Sequence, residues 1–316
     1  MNLDKSLINK FLNITSHAAI ACHKYIGKND KVIADKAATD SMRKNLNLLD
    51  IDGKVVIGEG ELDKAPMLYI GEKLGSGGNL DLDIAVDPVE GTNFVAKNLP
   101  GALSVISIAE KGNLFNAPET YMDKIAVSNK IPFEATDLDF SVEKNIKNIA
   151  DSLNKNLTDV TACLLDRPRH KKIIDELKKM NVKMKLISDG DVSGALMITD
   201  DKYDVDIFLG IGGGPEGVLA ASAIDAYKCK FQGRFIFDNE KDIKRAKQMG
   251  IENLDKKYDL KEIIKGDSIF CATGITSGDL VKGINLKDNK YITQTLVTHK
   301  SSNTCKIVTR EDTIKT

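Results

Sequence analysis

Histidine is scarce in this chain: four residues in 316, set against 46 aspartates and glutamates. A zinc cage of imidazoles and thiolates is therefore not expected. Any metal site should be lined by oxygen and suited to Mg²⁺ or Mn²⁺. The five cysteines (Cys22, Cys163, Cys229, Cys271 and Cys305) are dispersed, odd in number and without a CxxC pair, which reads as structural thiols in a reducing cytoplasm. Charge of one sign is also missing. With 45 basic and 46 acidic residues the net charge is -1, so neither nucleic acid nor a membrane surface is expected as a partner. No apolar run approaches the roughly 20 residues of a membrane-spanning helix. Met1-Asn2-Leu3-Asp4-Lys5 leads into no signal-like apolar segment, so a cytoplasmic protein is expected. Ser104 and Ser107 lack a GxSxG elbow, and no GxxxxGK[ST] occurs, so neither a serine hydrolase nor a P-loop kinase is indicated. His17, His23, His170 and His299 are too far apart in sequence to suggest a triad.

What is present is an ordinary globular balance, 42% hydrophobic and 29% charged, long enough for one large or two medium domains. Apolar spacing predicts a helix within residues 3–25 and a second from Ala34 to Leu49. Val55-Val56-Ile57, Leu82 to Val86 and Ala102 to Ala109 read as strands, with Pro88 ending the second and Glu110-Lys111-Gly112-Asn113 forming a hairpin-like turn. Helices are expected at 141–154 and 169–180, and strands at 159–165, 183–187, 205–211 and 233–237. This interleaving indicates an α/β layered fold with a largely parallel sheet. The polar segment 137–158 is the expected linker, placing one domain at 1–155 and another at 156–316.

Three acidic clusters stand out in the first half. Lys31 and Asp35 lie four apart at the start of the second helix. Glu59 and Glu61 bracket Gly60 after Val55-Val56-Ile57. Asp87-Pro88-Val89-Glu90-Gly91-Thr92 follows the apolar strand Leu82 to Val86. Carboxylates converging from separate segments, a permissive glycine and a hydroxyl are what metal-assisted phosphate chemistry needs. Each has an ordinary reading as well: a solvated helical ion pair, an exposed acidic turn, and the common Asp-Pro-x-x-Gly turn.

In the second half, Arg167 and Arg169 around Pro168, followed by Lys171 and Lys172, offer forks for phosphate oxygens, or an exposed basic helix start. Asp189-Gly190-Asp191 ends a strand where the carboxylates could take sugar hydroxyls or cap a helix. Gly212-Gly213-Gly214-Pro215-Glu216-Gly217 fits G-x-G-x-x-G between a strand and a helix, with Asp238 ending the later strand, so an NAD-dependent dehydrogenase is a competitor. The motif's depth in the chain, Pro215 inside the loop and the charge of Glu216 beside a pyrophosphate all count against it.

Asp87 to Phe94 resembles the DP[IL][DE]GT signature of the lithium-sensitive, metal-dependent phosphatases. The fuller similarity is to class II bacterial fructose-1,6-bisphosphatases of the GlpX type. It runs in order through Asp30 to Asp35, Gly58 to Glu61 with Ala65-Pro66-Met67, Arg167 to His170, Ser188 to Val192, Gly210 to Gly217 and Ala272 to Asp279. This resemblance implies a sugar-phosphatase fold: two stacked α/β domains, the first supplying metals and nucleophile, the second gripping the sugar phosphate, with the active site between them. It implies hydrolysis of the 1-phosphate of fructose 1,6-bisphosphate with Mn²⁺ or Mg²⁺, with sedoheptulose 1,7-bisphosphate or an inositol phosphate as alternative substrates. A catalytically silent sugar-phosphate binder is a further alternative that the complete acidic set opposes. Asp35, Glu59, Asp87, Glu90 and Glu216 would hold metal. Lys31, Asp35, Glu59 and Thr92 would be catalytic. Glu90, Gly91, Thr92, Tyr121, Arg167, Pro168, Arg169, Asp189, Gly190, Asp191 and Gly213 would contact substrate, with His170 supporting the arginine pair. Glu90 stands where many relatives carry aspartate. A homo-oligomer, dimer or tetramer, is also implied.

Overall fold

The structure is a computed structural model describing residues 3–58 and 67–313. Glu59, Gly60, Glu61, Ala65 and Pro66 lie outside the described residues. In chain order the elements begin with α1 (Leu7–Cys22), α2 (Lys31–Leu46), β1 (Asp52–Ile57), β2 (Lys73–Leu74), β3 (Asp81–Glu90), α3 (Thr92–Lys97) and β4 (Leu103–Glu110). Next come β5 (Tyr121–Val127), α4 (Val142–Leu153), β6 (Thr161–Leu165), α5 (Lys171–Lys179), β7 (Lys183–Ile187), α6 (Asp191–Leu196), β8 (Ile207–Gly213), α7 (Gly214–Asp225), β9 (Lys230–Ile236), α8 (Glu240–Gln248), β10 (Lys257–Asp259) and α9 (Leu260–Ile263). The chain ends with β11 (Ser268–Gly274), β12 (Asn285–Lys287), β13 (Lys290–His299) and β14 (Thr304–Thr313). No helix among the described residues is long and apolar enough to cross a membrane.

Two compact units result, Met1–Phe115 with Ile264–Thr316, and Asn116–Ile263. This differs from the expected division at 155/156. Residues 116–155 belong to the second unit, and the last 53 residues return to the first. The expected linker is also corrected: α4 lies inside it, capped by Ser141 Oγ accepting from Lys144 N–H at 3.1 Å. Ile146, Ile149 and Ala150 of α4 enter the second unit's core. The segment is polar because a surface helix needs only one apolar stripe.

In the first unit the described strands run β12-β13-β11-β4-β3-β1-β2, with β14 on the outer side of β13. Only β1 and β3 are parallel among them. Helix α1 packs on β11, β13 and β4, and α2 covers α1. Phe11, Leu12, Ile14, Ala18, Ala19 and Cys22 are consequently buried, each large apolar side chain contributing about 1.5–3 kcal/mol. Helix α2 starts at Lys31, three residues earlier than its apolar pattern suggests. The Asp30 carboxylate caps it, accepting from Val32 and Ile33 N–H at 3.1 Å each, a contact worth about 1 kcal/mol.

The second unit's described sheet runs β10-β9-β5-β8-β6-β7. Strands β8, β6 and β7 are parallel, whereas β5 pairs antiparallel with β8 and β9. The expectation of a largely parallel sheet is thus overturned: both sheets are mixed. The turn after β4 exists, with Asn113 N–H donating to Glu110 O at 3.0 Å, but it closes no hairpin. Strand β4 pairs instead with β3 and β11.

Candidate active site

Strand β3 is central and buried from Leu82 to Val86, with Asp83 the one carboxylate among those residues, and it continues through Pro88 to Glu90. Pro88 therefore does not end the strand. Asp87 lies opposite Val105 and Glu90 opposite Leu103, with a register shift between them. Two residues of β3 thus oppose Ser104 alone. At this bulge the ladder has no bond for the missing proline N–H to break. Val89 N–H donates to Asp87 Oδ1 at 3.1 Å, which orients that carboxylate. The bulge also brings Asp87 (half-buried) and Glu90 (4% exposed) to one strand end.

Gly91 follows at φ 84°, in the left-handed region. A Cβ there would come within 2.7 Å of the Phe94 ring, so the turn requires glycine on both counts. Thr92 is the first residue of α3. Helix α2, with exposed Lys31 and half-buried Asp35, packs on β3 and α3. Burial pushes the Cys22 thiol up to about 12, and the Asp35 charge reinforces it. Ile57, at the end of β1, pairs with Ala85, two residues before Asp87. The chain thus enters the Glu59 segment from the strand beside β3.

Among the described residues, no three His, Cys, Asp or Glu side chains form a metal-holding group. The donors in hand are nevertheless carboxylate oxygens without thiolate or imidazole. That set fits a hard divalent cation.

The second unit gathers its predicted residues at one end of its sheet. Tyr121 pairs with Gly213 across β5 and β8, and the Arg169 guanidinium lies over the Tyr121 ring at 4.8 Å. Arg169 Nε also donates to Ile211 O at 2.8 Å. Arg167 Nη2 stands 3.8 Å from Asp189 Oδ1. Pro168 opens the one-turn 3-10 segment that spaces the two arginines.

His170 locks this turn to the sheet. Ile211 N–H donates to His170 Nε2 at 2.7 Å, so Nδ1 carries the proton that Leu165 O accepts at 2.6 Å. His170→Ala should therefore cost roughly 2–4 kcal/mol in denaturant unfolding, since it removes two buried hydrogen bonds and leaves a cavity. Unfolding within 0.5 kcal/mol of wild type (about the scatter of surface substitutions) would reject this role.

Gly190 sits at φ 92° ahead of α6, and no side chain caps that helix. Neither aspartate therefore stands at the N-cap position, which Gly190 occupies. Asp189 Oδ1 accepts from Gly190 N–H at 3.1 Å. Asp191, 5% exposed, pairs with Lys124. Glu216, in the first turn of α7, has Lys124, Asp191 and Asp189 as charged neighbours. Burial raises its pKa, Lys124 opposes the rise, and the two aspartates add to it.

The glycine loop now has a different explanation. A Cβ at Gly212 would lie 1.9 Å from Asp191 Oδ2, and one at Gly213 would lie 1.7 Å from Glu216 Oε2. The protein's own carboxylates occupy the space a pyrophosphate would need. Antiparallel β5 also separates β8 from β9, so the β8–α7–β9 segment that carries the glycine loop is not the adjacent parallel βαβ unit a dinucleotide fingerprint needs.

Lys124 is the residue the sequence reading missed. Its signal was a charged pair, Asp123-Lys124, inside the run Tyr121 to Val127, which alternates too poorly to be read as a strand.

Residues 5–312 match the bacterial fructose-1,6-bisphosphatases of the glpX-encoded type. The chain belongs to that family. The fructose-1,6-bisphosphatase 1 class 2 of Escherichia coli K12 is 41% identical over 314 residues, covering 95% of this chain and 93% of that one. A Synechococcus D-fructose 1,6-bisphosphatase class 2/sedoheptulose 1,7-bisphosphatase is 38% identical over 331 residues, covering 97% and 95%. A solved inositol monophosphatase from Anabaena aligns at TM-score 0.33 and 10% identity, over 62% of this chain and 71% of that one. Membership in the fructose-1,6-bisphosphatase family places the chain among the phosphatases and removes the dehydrogenase alternative.

Proposed function

We propose that this chain hydrolyses the 1-phosphate of fructose 1,6-bisphosphate, giving fructose 6-phosphate and inorganic phosphate, a step of gluconeogenesis. The observation that carries the reading is the bulged end of β3. It sets Asp87, Glu90, Gly91 and Thr92 on one strand–turn–helix corner within a chain of the fructose-1,6-bisphosphatase family.

Asp35, Glu59, Asp87, Glu90 and Glu216 would hold Mn²⁺ or Mg²⁺. When bound, such a cation supplies Lewis acidity to the phosphoryl oxygens and makes water a better nucleophile near neutral pH. The Thr92 hydroxyl orients the attacking water in line with the ester bond. The water oxygen bonds to phosphorus as the water gives up a proton, the bond from phosphorus to the sugar oxygen breaks, and that oxygen takes up a proton from solvent and leaves as the alcohol. Lys31 and the N–H groups of Gly91 and Thr92 neutralise charge developing on the phosphoryl oxygens. Asp35 and Glu59 complete the acidic set around the water. Arg167, Arg169 and Tyr121, with Pro168 shaping their turn, bind the phosphate that is not transferred. Asp189, Gly190, Asp191 and Gly213 take the sugar.

A second reading, the same chemistry on sedoheptulose 1,7-bisphosphate, is favoured by similarity to the Synechococcus D-fructose 1,6-bisphosphatase class 2/sedoheptulose 1,7-bisphosphatase. The family resemblance extends the proposal to a homo-oligomer, dimer or tetramer, in the cytoplasm. The deciding experiment is phosphate release from fructose 1,6-bisphosphate, sedoheptulose 1,7-bisphosphate and an inositol monophosphate, with Mn²⁺, with Mg²⁺ and after EDTA. Fructose 1,6-bisphosphate should be turned over, and EDTA should abolish the activity. Turnover unaffected by EDTA, or none of this substrate with either metal, would reject the proposal.

A further inference from the structure

Lys124 has no part in the chemistry just described. Its side chain is fully buried in β5, a position where a lysine is costly unless its charge is met. The amine donates to Asp191 Oδ2 and, at 2.7 Å, to Gly213 O. These acceptors stand on separate elements: Asp191 opens α6, and Gly213 ends β8 where it passes directly into α7. An apolar side chain would fill such a site with equal or better stability, so stability alone does not account for the lysine.

Asp191 supplies the second observation. Its Oδ2 accepts from Lys124, whereas its Oδ1 is buried and has no hydrogen-bond partner in the protein. A buried acceptor left in that state is destabilising until a donor arrives. The carboxylate lies against the Gly212 backbone, where a single added methyl would overlap it. It is therefore held at one oxygen by the amine and along its flank by the glycine.

We infer that Lys124 is a positioning residue for sugar recognition: it fixes Asp191 through Oδ2 and leaves Oδ1 as the acceptor for a hydroxyl of the sugar. The same amine, through Gly213 O, keeps the start of α6 in register with the end of β8. This inference rests on the reading of Asp191 as a sugar contact.

The test compares wild type with Lys124→Met, Asp191→Asn, the double variant and Gly212→Ala. The readouts are kcat, KM for fructose 1,6-bisphosphate, and competitive inhibition by fructose 6-phosphate and by inorganic phosphate. Lys124→Met should weaken the substrate and fructose 6-phosphate roughly ten- to a hundredfold. Its kcat should stay within about threefold of wild type, and inhibition by inorganic phosphate should be unchanged. The double variant should bind fructose 6-phosphate no worse than Asp191→Asn alone, because the two residues act as one unit. Gly212→Ala, which displaces the carboxylate without touching the lysine, should reproduce the KM rise, and it carries the test if Lys124→Met does not fold.

A wild-type KM in Lys124→Met or in Gly212→Ala would overturn the inference, as would parallel weakening of both inhibitors. Weakened binding in Asp191→Asn beside wild-type binding in Lys124→Met removes only the role of Lys124. Unchanged binding in Asp191→Asn removes the sugar contact itself.

Discussion

Asp87→Asn should abolish turnover, with kcat falling on the order of a thousandfold or more, the equivalent of losing several kcal/mol of charge stabilisation in the transition state. The substitution keeps the shape of the side chain and removes one charge. Asp87 Oδ1 accepts from Val89 N–H at 3.1 Å, and an asparagine Oδ1 accepts the same bond, so the β3 bulge should survive. Thermal unfolding should then stay close to wild type while activity is lost. A mutant that had lost the bulge would instead melt earlier, since Val86 and Val89, which flank Asp87-Pro88, belong to the first unit's core. Steady-state kinetics across a Mn²⁺ titration provide the check. Recovery of wild-type kcat at saturating Mn²⁺ would reduce Asp87 to a contributor to metal affinity.

Thr92→Ala should lower kcat by roughly a hundred- to ten-thousandfold while KM changes little, the pattern of an interaction made only in the transition state. Local structure makes this a clean experiment. The N-cap of α3 is Gly91 and no side chain caps the helix, so removing the threonine hydroxyl uncaps nothing. Alanine is also a better helix former than threonine, and stability should hold or rise slightly. Lost activity then reports the hydroxyl and not the fold. Thr92→Ser, which restores the hydroxyl, should recover most of kcat. A normal kcat in Thr92→Ala would remove Thr92 from the reaction.

Local pattern identified some elements well and others poorly, for physical reasons visible at particular residues. Strand β7 falls at Lys183–Ile187 as expected, because short-range alternation and flanking turns determine it. The rule that proline ends a strand fails at Pro88, where the bulge against β4 supplies a position with no ladder bond to lose. That compensation comes from a strand further along the chain and leaves no trace in the Asp-Pro dipeptide. Strand β5 was unread because Asp123 and Lys124 interrupt its apolar run. The lysine is tolerated only because Asp191, 67 residues later, meets its charge.

The glycine loop shows the reverse situation. Its spacing suggested a nucleotide, yet the carboxylates of Asp191 and Glu216, of the same unit, lie where a Cβ on Gly212 or Gly213 would stand. Any reading confined to the loop compares it with known loops. Only the neighbours reveal what fills the space.

The sequence by itself determined which side chains are available: an oxygen-rich, histidine-poor acid set, a strand-end Asp-x-x-Glu-Gly-Thr, an arginine pair and paired aspartates, in an order shared with one phosphatase family. These are matters of residue type and short spacing, which side-chain chemistry and backbone preference decide locally. Tertiary structure alone decided that both sheets are mixed, that β11 to β14 return to the first unit, that His170 pins the arginine turn to β8, and that a buried Lys124 joins the start of α6 to the end of β8. Each depends on pairing between residues far apart in the chain, where burial and hydrogen-bond satisfaction act only after the segments have met.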